Sequence, residues 1–403
     1  MHVSLHSSLN GARTGIEIMG NIDRELAFSI PEYRRRVEGI RSGMTRIGVD
    51  LLITREPSNV LYISGFQTFA VFGGETVIIS HDNDPILVVW PPELGMAVLH
   101  TWLSDVYGYE PGYGQEAYLG KLISDFGLPN SRIAIEKNCL GFNLAQNEKL
   151  NSVFPESEII DGSDLIKSLR KIKSREEINH IRQSASITDK GIEAAVESAR
   201  ENSSDNYIAA AANAALIGNG SEYFSISPIV TSGKRSGILH SSHKRKCLKK
   251  GDVILLEMGA SYQRYTAPIM RTVTIGASGD EVLKTADACL VALDNVISAI
   301  KPGVSADEVA RAGWKGIDKA GSDFVFHGVF GYAVGVSLPP GWADGTSTIS
   351  LGQETVMEPG MVFHHPVALR RIGQYGVAFS ETTLVTDTGC EVLTGFERKL
   401  HVK

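Results

Sequence analysis

Glu257 closes an apolar run, Val253-Ile-Leu-Leu-Glu257-Met258, that reads as a buried strand. A carboxylate at the end of such a run is costly unless it has partners or a chemical task. Its natural task is proton transfer or attack on an electrophilic carbon. A second strand-like run, Val362-Phe363-His364-His365-Pro366, carries two histidines. Adjacent strand residues face opposite ways, so at most one of them reaches a pocket; His365, sharing a face with Phe363, is the predicted one. Tyr265 and Tyr332 can donate to a substrate carboxylate or a developing oxyanion, or can simply pack as amphipathic residues. The rigid loop Pro339-Pro340-Gly341-Trp342 presents an indole that can cover a cationic group or fill the core. Gly65-Phe66-Gln-Thr-Phe69-Ala-Val-Phe72-Gly-Gly74 sets aromatic residues between glycines, where they serve either the core or a contact.

Several other chemistries are excluded. Neither Gly73-Gly74 nor Gly218-Asn-Gly220 has the spacing of a P-loop or a dinucleotide fingerprint. No Gly-x-Ser-x-Gly elbow occurs, and the four cysteines (Cys139, Cys247, Cys289, Cys390) form no CxxC pair. Scattered cysteines fit reduced thiols in the cytoplasm. Residues 1–20 lack an apolar secretory core, and no uninterrupted apolar stretch is long enough to span a bilayer. The net charge of −7 argues against a general nucleic-acid binder, and the basic cluster Lys244-Arg-Lys246 with Lys249-Lys250 reads as a solvated turn.

The elements that must hold these groups are legible in outline. With 403 residues, 43% hydrophobic and 21% charged, the chain is long enough for two domains. Short β-rich runs at 50–54, 76–80, 86–90 and 132–135, with a helical pattern over 31–49, predict an α/β domain over residues 1–168. Beyond a boundary within 160–174, Ser174-Arg-Glu-Glu177 and Ser305-Ala-Asp-Glu308 fit helix capping boxes. A helix over 280–300 is predicted to bury Leu283, Ala286, Leu290, Leu293 and Ile297, with Pro302-Gly303 stopping it. Strands are predicted at 251–259, 269–275, 361–368 and 377–386. Residues 169–403 thus read as an α+β domain.

Taken together, these motifs resemble the creatinase/aminopeptidase P/prolidase (M24, "pita-bread") family over most of the chain, most strongly from 165 to 395. The carrying segments are Lys173-Ser-Arg-Glu-Glu177 at the domain entry, Ser232 to His240, Leu248-Lys-Lys-Gly-Asp252, Gly331-Tyr332-Ala-Val-Gly335, Glu358-Pro-Gly-Met-Val-Phe-His364-His365-Pro366, and Ala378-Phe-Ser-Glu381. Metal-dependent members place aspartates at two positions eleven apart; here those positions hold Glu257 and Pro268. Tyr332 stands for a ligand histidine, and His365 or Pro366 for a ligand glutamate, while Glu381 is retained. Proline offers no ligand, and a dinuclear site needs several carboxylates to offset its charge.

The resemblance therefore implies an α/β N-terminal domain and a pita-bread catalytic domain with no metal or other cofactor. It implies Glu257 and Glu381 as a carboxylate pair, one held protonated beside the other. His240 matches the substrate-facing histidine. Tyr265, Tyr332, His365 and Trp342 would contact substrate, as would Phe66 and Phe69 from a first-domain segment that relatives insert into a partner's pocket, which implies a cytoplasmic homodimer. The departures are closest to the metal-free branch that opens the cyclic amidine of ectoine to N-acetyl-diaminobutyrate. A small zwitterion is the expected partner, with neither nucleic acid nor membrane. The alternatives are a creatinase-like amidinohydrolase, a metal-dependent Xaa-Pro peptidase, and a non-catalytic binding protein on the same scaffold.

Overall fold

The structure is a computed structural model that describes residues 22–69, 74–109, 114–125, 131–139, 141, 143–321 and 323–403. Phe72, the basis of one reading above, and the N-terminal segment 1–20 lie outside the described residues. The chain divides into two compact units, Met1–Leu169 and Arg170–Lys403.

The first unit carries a six-stranded mixed sheet in the order β4-β3-β2-β1-β5-β6. Its strands are β1 (Leu51–Thr54), β2 (Thr76–Ser80), β3 (Ile86–Val89), β4 (Val106–Gly108), β5 (Ile133–Ile135) and β6 (Ile159–Asp161). The helix Ile30–Ile47 leads into it. Ser29 caps its start by accepting from the Glu32 amide, and Gly48, at φ 66°, supplies the left-handed turn that ends it. Strands β4 (Val106-Tyr-Gly108) and β6 (Ile159-Ile-Asp161) escape the sequence reading because each is short and ends in glycine or aspartate, residues depleted in strands. Phe66 is 3% exposed and belongs to this unit's core, so its predicted substrate contact is replaced by packing.

In the second unit one sheet has the order β19-β11-β8-β7, formed by β7 (Ile229–Ser232), β8 (Val253–Met258), β11 (Ile269–Thr274) and β19 (His401–Val402). Between β8 and β11 lies a two-stranded ribbon, β9 (Ser261–Tyr262) and β10 (Tyr265–Thr266). The other large sheet has the order β13-β12-β14-β17-β18: β12 (Val329–Val334), β13 (Ala343–Ser350), β14 (Val362–His364), β17 (Thr382–Val385) and β18 (Cys390–Val392). A separate hairpin pairs β15 (Val367–Arg371) with β16 (Tyr375–Phe379).

Each large sheet has its own helical cover. Helices Arg175–Ser198 and Asp205–Gly218 pack on the first through Ile192, Ile208, Leu216, Leu256 and Met258. Helices Asp280–Ala299 and Ala306–Ile317 pack on the second through Leu293, Val296, Val309, Phe330 and Phe363. Both predicted capping boxes form, with Ser174 and Glu177 and with Ser305 and Glu308 exchanging their bonds. The helix Asp280–Ala299 is rotated from its predicted face: Val282, Ala286, Cys289, Ala292, Leu293 and Val296 are buried, while Leu283 is 44% exposed. Close approach explains this, since a Cβ on Gly316 would lie 2.4 Å from the Ala292 backbone. Small residues mark that contact, and a search for large apolar residues passes over them. Among the described residues no helix is long and apolar enough to cross a membrane.

Candidate active site

Alternation along β8 sends Ile254, Leu256 and Met258 into the core beneath the first helix pair. Leu255 and Glu257 therefore face the other way, where Leu255 packs with Met270, Ala368 and Ala378. Glu257 is 9% exposed. Burial pushes its carboxyl up to about 7, opposed by the charge of Arg370. Near neutrality it is divided between acid and base, as a proton-transfer group should be.

A hydrogen-bonded chain lies within the field of Glu257. Trp342 Nε1 donates to the Tyr332 hydroxyl at 2.7 Å, and that hydroxyl stands 2.7 Å from His364 Nδ1. His364 Nε2 is in turn 2.7 Å from Ser380 Oγ. A neutral imidazole has one N–H donor and one acceptor nitrogen, so His364 donates to one of these two hydroxyls and accepts from the other. Burial holds His364 well below its ordinary pKa, and burial with the nearby Glu257 holds the Tyr332 phenol well above its own. The chain is thus neutral and fully bonded, a fixed polar wall beside one buried carboxyl.

Arg370 and His327, both absent from the sequence reading, complete the surroundings. Arg370 is 6% exposed, and its Nε has no hydrogen-bond partner. Burial lowers its pKa, and Glu257 raises it. Burial, then Arg370, then His240 push His327 down to about 4, so it stays neutral. Its Nδ1 accepts from the Val329 amide at 3.1 Å. His240 is exposed, with φ 55°, on the loop after the 3-10 turn Gly233–Gly237, and lies within electrostatic reach of His327. A lone histidine between Phe326 and Gly328 carries no periodic signal, and Arg370 lies in a sequence position where arginine is ordinarily a surface residue.

Other expected site residues are differently employed. Glu381 is buried, but it pairs with Arg271 Nη2 at 2.8 Å and accepts from the Thr394 hydroxyl. Burial raises its carboxyl, with Arg271, Thr394 and Arg398 acting against. Both glutamates are thus raised, yet by burial, where the sequence suggested mutual repulsion. Alternation gives the reason. Arg271 pairs with Leu256 in the β8–β11 register, on the face opposite Glu257 and Met270. His365 likewise bonds Phe330 O at 2.9 Å and Thr383 Oγ1 at 2.8 Å, so His364 takes the place predicted for it. The Tyr265 hydroxyl donates to Glu177 at 2.9 Å, anchoring the ribbon to helix Arg175–Ser198. Trp342 bonds Tyr332 through its indole N–H, and its ring meets His364 edge-on. Phe69, in the first unit, is 73% exposed.

The donor set does not fit a dinuclear metal. Pro268 offers a carbonyl that already accepts from Thr382, both nitrogens of His364 are bonded, and Glu381 is held by Arg271. Among the described residues no three His, Cys, Asp or Glu side chains converge as metal ligands.

Comparison with known proteins agrees with this architecture. The model of metallopeptidase family M24 matches residues 179–387, and that of the creatinase/prolidase N-terminal domain matches 36–172. Ectoine hydrolase of Halomonas elongata is 26% identical over 400 residues, spanning 95% of this chain and 100% of that one. The Xaa-Pro dipeptidase of Pyrococcus furiosus is 28% identical over 375 residues, spanning 91% and 99%. The crystal structure of the prolidase from Pyrococcus horikoshii superimposes with a TM-score of 0.80 at 26% identity, covering 91% of this chain and 99% of that one. The fold is pita-bread, as the resemblance implied.

Proposed function

The chain belongs to metallopeptidase family M24, fused to a creatinase/prolidase N-terminal domain, and from that premise we propose a hydrolase that opens a non-peptide C–N bond without metal, with ectoine as substrate. The carrying observation is Glu257: one buried carboxyl near neutrality, beside a neutral Tyr332–His364–Ser380 chain, where the family's metal chemistry would need several more ligands. The likeness to the Halomonas enzyme supports the substrate.

In the proposed reaction a water oxygen adds to the amidinium carbon while Glu257 takes the water's proton. Glu257 then delivers that proton to the departing ring nitrogen as its C–N bond breaks. The remaining hydroxyl proton passes through Glu257 to the freed amine as the carbonyl forms, giving an amide and an ammonium group and consuming one water. Tyr332 and Trp342 hold the polar wall against which the amidine lies. His240, at the exposed end, is the proton exchanger with solvent. The enzyme is proposed to act in the cytoplasm as a homodimer, for which the exposed Phe69 is the candidate contact.

A second reading, an Xaa-Pro peptidase, is favoured by the comparable identity to the Pyrococcus dipeptidase. Turnover of ectoine, creatine and a Xaa-Pro dipeptide by chelator-treated, metal-analysed protein separates the readings, with Glu257→Ala as control. Metal-free ectoine opening that vanishes in the variant is the expected result. Creatine turnover would shift the substrate, dipeptide cleavage restored by manganese or zinc would overturn the proposal, and no turnover at all would favour a binding protein.

A further inference from the structure

Arg370 is charged, buried and unused. Among the described residues its side chain makes no hydrogen bond and enters no ion pair, and its Nε is sealed from solvent. An arginine offers five N–H donors, and each buried donor costs when unmet, so a side chain with none of them bonded favours a ligand that supplies the acceptors. Glu257, the opposite charge that acts on it most strongly, is itself without a side-chain hydrogen bond. The two opposite charges thus act on each other without forming an ion pair or sharing a hydrogen bond.

A second orphan lies on the same face. Thr231 of β7 is paired with Leu255, and Ile229 with Glu257, so Thr231, Leu255 and Glu257 share one side of the sheet. Thr231 is 2% exposed, and its Oγ1 has no partner. Opposite, Ala368 of β15 packs on Leu255, and Arg370 is two residues further along the same face of β15. His327 lies in the fields of both Arg370 and His240, and Tyr332 in that of Glu257.

We infer that Arg370 is the substrate's anion anchor: it binds a carboxylate through its unmet guanidinium donors and so restricts the site to small molecules carrying an anionic group a few bonds from the reacting carbon. The inference rests on the hydrolase reading for the identity of the reacting carbon, and on the geometry alone for the anion. Planar guanidinium and carboxylate match two N–H donors to two oxygens, which a lysine cannot reproduce. Thr231 is placed on the same face to supply a further hydroxyl.

The test is binding, measured by calorimetry and thermal shift on the full chain with ectoine, N-acetylglycinate and acetate, each beside its uncharged carboxamide. Carboxylates are expected to bind roughly 100-fold tighter than their amides, and Arg370→Gln to weaken them by the same factor, down to the level of the amides. Arg370→Lys should retain part of the preference. Ligand-free Arg370→Gln should melt no lower than the parent, since it removes an unpaired buried charge; a structural arginine would behave oppositely. Absence of carboxylate binding, a preference that survives Arg370→Gln, or a Gln variant that melts well below the parent would each overturn the inference. The two proposals fail separately. A protein that turns over nothing yet binds carboxylates through Arg370 loses only the reaction, whereas one that opens ectoine but binds its carboxamide equally well loses only the anchor.

Discussion

Arg271 and Arg370 are both buried and both lie in the field of a buried glutamate, but they are built in opposite ways. Arg271 uses all five N–H donors: on the Glu397, Met270, Ser380 and Phe396 carbonyls and on the Glu381 carboxylate. Arg370 has no side-chain hydrogen bond among the described residues, and neither does Glu257. The first couple ties β11 to β17 and the C-terminal segment, as a structural joint. The second is an open pair, poised for a third molecule. A retained acidic residue in a motif is therefore weak evidence for chemistry; whether its partners are already taken decides the matter.

The largest expected effect is kinetic and falls on the open pair. Glu257→Gln should lower kcat on ectoine by on the order of 10^4-fold, the upper range for loss of general acid–base action. Glu381→Gln should leave kcat within about tenfold of the parent once folded protein is counted. Steady-state kinetics on both variants would break the comparison if the two losses were equal.

Stability should rank them the other way. Glu381→Gln strands Arg271 as a buried unpaired charge and is expected to cost about 4 kcal/mol. Replacing both partners, as in Arg271→Met with Glu381→Leu, should recover part of that loss, because the desolvation cost of the pair goes with it. Urea unfolding of the single and double variants measures the coupling. A double variant no better than the single would place the loss in Arg271's backbone bonds, and the joint would be the arginine alone.

How much of this was legible beforehand follows from the range of each signal. Capping boxes are local, and both were read correctly from Ser174 and Ser305. Apolar runs located β8 and β11 within a residue or two. Strand parity was the weak point. The motif points to His365 and Glu381, and the structure puts their predecessors His364 and Ser380 in the Tyr332 network. A one-residue offset reverses the face of a strand, and a single sequence without its partner strand does not fix that face. Arg370 and His327 were missed for a different reason: their significance lies in what they do not contact locally, and that is a tertiary property.

The protonation contrast gives a third, smaller test. Glu257 has its pKa raised to about 7, so it opposes folding as pH rises from the ordinary carboxyl value of 4.5 toward 7 and imposes a constant cost above. The shift corresponds to roughly 3 kcal/mol. His327 and His365, each pushed down to about 4, act with the opposite sign: their contribution is present above the ordinary histidine value of 6.5 and is lost as pH falls toward 4. Parent and Glu257→Gln unfolding should therefore be compared pairwise at each pH, which cancels the histidines. The variant's advantage should grow between pH 4.5 and 7 and then level off. A constant difference across that range would mean that Glu257 titrates normally and that the pair is not open.

Tyr332→Phe should show the smallest effect, and it asks whether the wall beside Glu257 belongs to the joint or to the site. The change removes one hydroxyl that accepts from Trp342 and meets His364, leaving two buried ring nitrogens each short of a partner. Loss of such bonds costs about 1 kcal/mol each net. Because the phenol also lies in the field of Glu257, its removal changes the polarity around the reacting carboxyl. If the wall serves the site, the pH at which ectoine turnover is half-maximal should move while KM stays near that of the parent. A stability loss of the same size with an unmoved pH profile would assign Tyr332, Trp342 and His364 to the structural side of the comparison, leaving Glu257, Arg370 and Thr231 as the open groups.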